Sequence, residues 1–168
     1  NDTIEGGSGN DSIHGMADND TINGGSGNDR IDGGSGRDKL DGGSGNDHIE
    51  GGLGNDSIQG GVGDDTLNGG AGDDVIVGDP FDLTPTDGRP HLVSAADVRI
   101  LPYGGNDTID GGSGNDSIRG MVGNDTINGG SGNDRIDGGS GRDNLDGGSG
   151  NDRIAGGLGN DSIQGGVG

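Results

Sequence analysis

The chain has 168 residues, 46 of them Gly, and its 30 acidic residues against 9 Lys and Arg give a formal charge of −21. Leu, Ile, Val and Phe together number only 30, a content that with this charge is typical of chains lacking a globular core. With no Cys there is no disulfide scaffold or thiolate zinc site, no apolar run is long enough to span a membrane, and the charge is wrong for gripping the phosphates of nucleic acid.

A period of nine starts at once. Gly6–His14 reads GGSGNDSIH, Gly24–Asp32 GGSGNDRID, Gly33–Asp41 GGSGRDKLD, Gly42–Glu50 GGSGNDHIE and Gly51–Gln59 GGLGNDSIQ. Counted from the first Gly, position six is Asp in sixteen lines, from Asp2 to Asp74 and from Asp107 to Asp161. Position eight is Ile or Leu in the same sixteen. Random low complexity does not hold an acidic and an aliphatic column in register. Gly at positions one, two and four permits positive φ and a tight turn. Positions seven to nine run polar, aliphatic, polar, as in Arg30-Ile31-Asp32, which predicts a three-residue strand with one side chain inward. So short a strand must stack on copies of itself, and that predicts a solenoid.

Other readings of the glycines fail. Collagen needs Gly at every third position, flexible linkers hold no fixed Asp column, and a phosphate loop needs a Lys and a helix behind it. The EF-hand spacing is missing. The Asn-Asp-Ser/Thr triplet matches a glycosylation sequon, but the repeat generates it automatically.

Residues 78–105 interrupt the lines and hold all four Pro, together with Phe81 and Tyr103. Ile76 and Ile100 are 24 residues apart, and Ile100 and Ile109 are nine apart. This spacing predicts a degenerate turn with a six-residue bulge around Asp82–Gly88, Ile100 inward and Phe81 and Tyr103 as plugs, and about nine turns in all. The chain thus divides into a tract over 1–77, an insert over 78–105 and a second tract over 106–168. The second tract repeats residues 1–63 at an offset of 105. The copies differ only at Glu5/Asp110, His14/Arg119, Ala17/Val122, Asp18/Gly123, Lys39/Asn144, His48/Arg153 and Glu50/Ala155. This is the pattern expected of a window on a longer array. Met16 and Met121 at position two, and Asp18 at position four, read as drift in a tolerant turn.

The columns resemble the RTX (repeats-in-toxin) calcium-binding nonapeptide family over nearly the whole chain outside residues 78–105. The resemblance implies an all-β fold, a right-handed parallel β-roll (β-solenoid) with two nonapeptides per turn. It also implies Ca²⁺ between turns eighteen residues apart, held by positions two, four and six of one turn and one, three and six of the next. The Asp would give its carboxylate and the others mainly backbone carbonyls. Carried onto this chain, the pattern joins Gly7, Gly9 and Asp11 to Gly24, Ser26 and Asp29, and then Gly25, Gly27 and Asp29 to Gly42, Ser44 and Asp47. It continues through Gly43 and Gly45 to Gly60, Val62 and Asp65. The opposite column runs from Asp2 and Asp20 to Gly33, Ser35 and Asp38, through Gly34 and Gly36 to Gly51, Leu53 and Asp56, and through Gly52 and Gly54 to Gly69, Ala71 and Asp74. In the second tract one column joins Asp107 to Gly120, Val122 and Asp125, then to Gly138, Ser140 and Asp143, and through Gly139 and Gly141 to Gly156, Leu158 and Asp161. The other joins Gly112, Gly114 and Asp116 to Gly129, Ser131 and Asp134, and through Gly130 and Gly132 to Gly147, Ser149 and Asp152. About twelve ions fit the unbroken columns, enough to turn −21 into about +3.

Stacked carboxylates about 4.8 Å apart repel, and divalent cations between them remove that repulsion. Folding is therefore expected to depend on Ca²⁺. The partners expected are calcium ions and other copies or flanking repeats of the same protein. Catalysis is not expected: His14 and His48 lie at outward positions, His91 falls in the insert, and Arg30, Arg37, Arg135 and Arg142 read as surface charge. The family resemblance implies a secreted or cell-surface bacterial protein, exported by type I secretion and folding outside as a rigid extender or secretion element. The alternative is the C-terminal accessory module of a secreted enzyme (protease, lipase or epimerase) or of a toxin. An ice-binding face is a weaker reading, because Ser-x-Asn recurs at positions three to five but Thr does not.

Overall fold

The computed structural model describes residues 1–78 and 105–168. The first stretch contains β1 (Thr3–Ser8), β2 (Ser12–His14), β3 (Thr21–Ser26), β4 (Arg30–Ser35), β5 (Lys39–Ser44), β6 (His48–Leu53), β7 (Ser57–Val62), β8 (Thr66–Ala71) and β9 (Val75–Val77). The second contains β10 (Thr108–Ser113), β11 (Ser117–Val122), β12 (Thr126–Asn128), β13 (Arg135–Ser140), β14 (Asn144–Asp146), β15 (Arg153–Leu158) and β16 (Ser162–Gln164). Most strands have six residues rather than the three expected. The ladder continues past position nine into the glycines of the next line, as in the pairs Gly7↔Gly25 and Ser8↔Ser26.

Odd strands form one eight-stranded sheet and even strands the other, and every pairing is parallel. Successive strands lie in opposite sheets, so two nonapeptides complete one turn of a β-solenoid. At about 4.8 Å per rung the eight turns span roughly 38 Å. The position-eight side chains point inward from both sheets and form one continuous core. Ile22, Ile31, Leu40, Ile49, Ile58, Leu67, Ile76, Ile109, Ile118, Ile127, Ile136 and Leu145 are all at most 1% exposed. Parallel register places like on like, with Ile22 on Leu40 and Ile136 on Ile154.

The turn count differs from the expected nine. β8 pairs directly with β10 and β9 with β11, so Leu67 stacks on Ile109 and Ile76 on Ile118. No rung is left between them, and eight turns form. Residues 79–104 stand between Gly78 at position one and Gly105 at position four, where a regular turn has two residues. The expected bulge, the inward Ile100, the plugs Phe81 and Tyr103, and His91 all fall on this segment, outside the described residues.

The long repeat adds a symmetry. β1 lies in the odd sheet, whereas its copy β10 lies in the even sheet. The near-identical tracts are therefore related by an odd number of nonapeptides, and each residue type recurs on the opposite side of the roll.

Candidate metal centre

The turns stack in two columns, and position six builds a ladder along each. The main-chain N–H of each Asp donates to Oδ1 of the Asp one turn further on. Thus Asp11 donates to Asp29 at 2.8 Å, Asp29 to Asp47 at 2.8 Å, Asp20 to Asp38 at 2.8 Å and Asp38 to Asp56 at 2.9 Å. Both ladders cross the 79–104 segment, Asp65 donating to Asp107 at 2.9 Å and Asp74 to Asp116 at 2.8 Å. Position five makes a second ladder of opposite sense, in which N–H of Asn28 donates to Oδ1 of Asn10 at 2.9 Å. The sequence alone did not show these ladders, because their partners lie 18 or 42 residues apart and meet only once the register is known.

One oxygen of the carboxylate is thus engaged by an N–H. The other, Oδ2, is buried and accepts no hydrogen bond at Asp11, Asp20, Asp29, Asp38, Asp47, Asp56, Asp74, Asp107, Asp116, Asp125, Asp134, Asp143 and Asp152. A charged oxygen withdrawn from water without a donor is costly, and a whole column of them is a repeated defect. Its consequence is visible in acidity. Burial pushes Asp74 and Asp107 up to about 6, and Asp116 and Asp125 up to about 7, against the lowering effect of the N–H bond each accepts. Asp38, Asp47, Asp56, Asp134 and Asp143 are raised for the same reason.

The surroundings of Oδ2 are main-chain oxygen. A Cβ added at Gly33 would lie 2.7 Å from Oδ2 of Asp38 and 2.7 Å from the carbonyl oxygen of Gly51 in the next turn. Gly at position one is required because both oxygens crowd its Cα. At position two the demand is both conformational and steric: Gly25 has φ +105°, and a Cβ added there would collide with the carbonyl oxygen of Gly7. Met16 at φ 78°, Asp18 at φ 78° and Met121 at φ 83° adopt the same region without being Gly.

The other expected ligand groups already carry one N–H each. The position-three carbonyls of Ser26, Ser44, Val62 and Leu53 accept from position-four Gly of the preceding turn at 2.8 Å. The position-two carbonyl of Gly130 accepts from N–H of Ser149 at 2.9 Å, and that of Gly112 accepts N–H of Ser131 at 2.9 Å with a long contact from its Oγ at 3.5 Å. A carbonyl has a second lone pair, so these bonds leave it able to ligate. Dry anionic oxygen beside carbonyl oxygen, with no soft donor, is the chemistry that suits Ca²⁺ and disfavours transition metals. The residues present therefore fit the ion.

Among the described residues, no three His, Asp or Glu side chains converge on one point. No helix there is long and apolar enough to cross a membrane. His48 sits at the surface and bonds Glu50 at 3.0 Å, while Arg30 pairs the same carboxylate at 2.8 Å. No curated protein matches the chain. The family model described as RTX calcium-binding nonapeptide repeat (4 copies) matches residues 1–31, 24–58, 50–82, 103–136 and 137–168. A nonapeptide solenoid with buried Asp columns, matched over most of its length by this model, belongs to the RTX calcium-binding nonapeptide repeat family.

Proposed function

We propose that this RTX-type calcium-binding module is a folding switch, a solvated polyanion at low Ca²⁺ and a rigid roll at high Ca²⁺. The observation that carries this reading is the column of buried Oδ2 atoms without donors. Without a cation, each nonapeptide added to the roll buries another unsatisfied carboxylate. With an ion between successive Asp residues of a column, the same nonapeptide would gain an anionic ligand contact and lose a repulsion. Ligands at positions two, four and six of one turn and one, three and six of the next agree with the crowding of oxygens at position one. The ladder has fourteen Asp-to-Asp steps. Twelve fall within the two tracts.

Such a switch suits a secreted or cell-surface bacterial protein. The chain passes an export channel unfolded where Ca²⁺ is scarce and orders outside where it is abundant. The near-identical tracts, 105 residues apart, and the continuous core favour a rigid extender over an accessory to a catalytic domain. Far-UV circular dichroism tests the switch. In excess chelator at pH 7.5 the spectrum should be that of a disordered chain, and millimolar Ca²⁺ should restore strand while equal Mg²⁺ should not. A strand-rich spectrum in chelator would contradict it.

A further inference from the structure

Position five is Asn or Arg in every line except two, where it is Asp64 and Asp73. Those lines are the last two before residue 79, and their partners in the next turn lie 42 residues ahead rather than 18. Oδ1 of Asp64 accepts N–H of Asn106 at 2.7 Å and its Nδ2 at 3.3 Å. Oδ1 of Asp73 accepts N–H of Asn115 at 2.8 Å and its Nδ2 at 3.2 Å. An anionic acceptor makes these bonds stronger than the Asn-to-Asn bonds elsewhere in the ladder.

The junction needs such help. Closing a longer loop costs more entropy, and a slip by a whole turn would keep every Ile inward and every Asp in its column. The core therefore does not specify which later line follows Val75–Val77. The gap across the junction nevertheless has the shape of the others. A Cβ at Gly69 would lie 2.5 Å from Oδ2 of Asp74 and 2.7 Å from the carbonyl oxygen of Gly111, across the interruption. Oδ2 of both Asp74 and Asp116 is buried and lacks a donor.

We propose that the junction is a cation-pinned splice, in which divalent ions at the Asp74–Asp116 and Asp65–Asp107 steps join the tracts and Asp64 and Asp73 add the charge that selects these steps. The splice rests on the calcium reading above. It adds two sites to the twelve within the tracts, at the steps where β8 meets β10 and β9 meets β11.

The test is the full chain carrying D64N/D73N. Asn is what position five holds in most lines, so the variant keeps the Oδ1 acceptor of each ladder bond and exchanges the second oxygen, with its charge, for a neutral amide nitrogen. Both proteins are titrated with Ca²⁺ and followed by hydrogen exchange on peptides spanning β9, β10 and, for reference, β4. The Ca²⁺ midpoint for protecting β9 and β10 should rise about threefold in the variant while that of β4 stays put. Equal midpoints at β9 and β10 in the two proteins would overturn the splice and leave the calcium reading intact. A native chain with no Ca²⁺-dependent protection anywhere would overturn both.

Discussion

At the scale of the residue, two groups decide the behaviour of the chain: the position-six carboxylate and the position-one Gly beside it. Burial raises the pKa of Asp74, Asp107, Asp116 and Asp125 to about 6 or 7, above the usual carboxylate value of 3.8. A group raised on folding binds its proton more tightly in the folded state. Its contribution is therefore fully present below pH 3.8 and is lost as pH rises through 6 to 7. In chelator, strand content should fall as pH goes from 5 to 7.5, because at low pH protons do part of what calcium does at neutral pH. A rise in strand content over that range, read by circular dichroism, would contradict this account. The Gly requirement is tested by a contrast. Gly33→Ala places a methyl 2.7 Å from two oxygens and should cost about 1–3 kcal/mol in Ca²⁺-saturated denaturation. Gly7→Ala meets no atom within 4 Å and bears only its positive φ, which should cost about 1 kcal/mol.

At the scale of the element, each strand contributes one position-eight side chain, so the core is one file of aliphatic residues from each sheet, packed face to face. Ile49 is fully buried between Ile31 and Leu67, and Ile49→Ala should cost about 2–5 kcal/mol. Ile163 in β16 is 52% exposed, and its replacement by Ala should cost less than 1 kcal/mol by the same denaturation assay. This inward column, like the Asp column and the parallel stacking, was legible in the sequence, because a period of nine with one aliphatic residue admits little else. The direct stacking of Leu67 on Ile109 and of Ile76 on Ile118 was not, because spacings of 24 residues from Ile76 to Ile100 and nine from Ile100 to Ile109 leave room in the repeat for a further rung, and a one-dimensional period does not say which later line pairs with β8 and β9. The contacts of Asp64 and Asp73 were hidden for a related reason, since their partners Asn106 and Asn115 become neighbours only once β8 pairs with β10 and β9 with β11.

At the scale of the molecule, composition that forbids a globular core is reconciled with a continuous one. The roll needs only one aliphatic side chain per nine residues, because every strand is covered by the next. Its remaining deficit is electrostatic, with buried carboxylates in two columns and a formal charge of −21. Metal binding and folding are then one equilibrium. The duplication adds to the architecture: the second tract is rotated by half a turn against the first, so a feature on one side of the roll recurs on the other. The most direct test is the number of calcium ions bound per chain at saturation, measured in the titration that restores strand by circular dichroism. The two-column account predicts about twelve to fourteen ions, taken up together with the gain in strand; three or fewer, or saturation without any change in the spectrum, would contradict it.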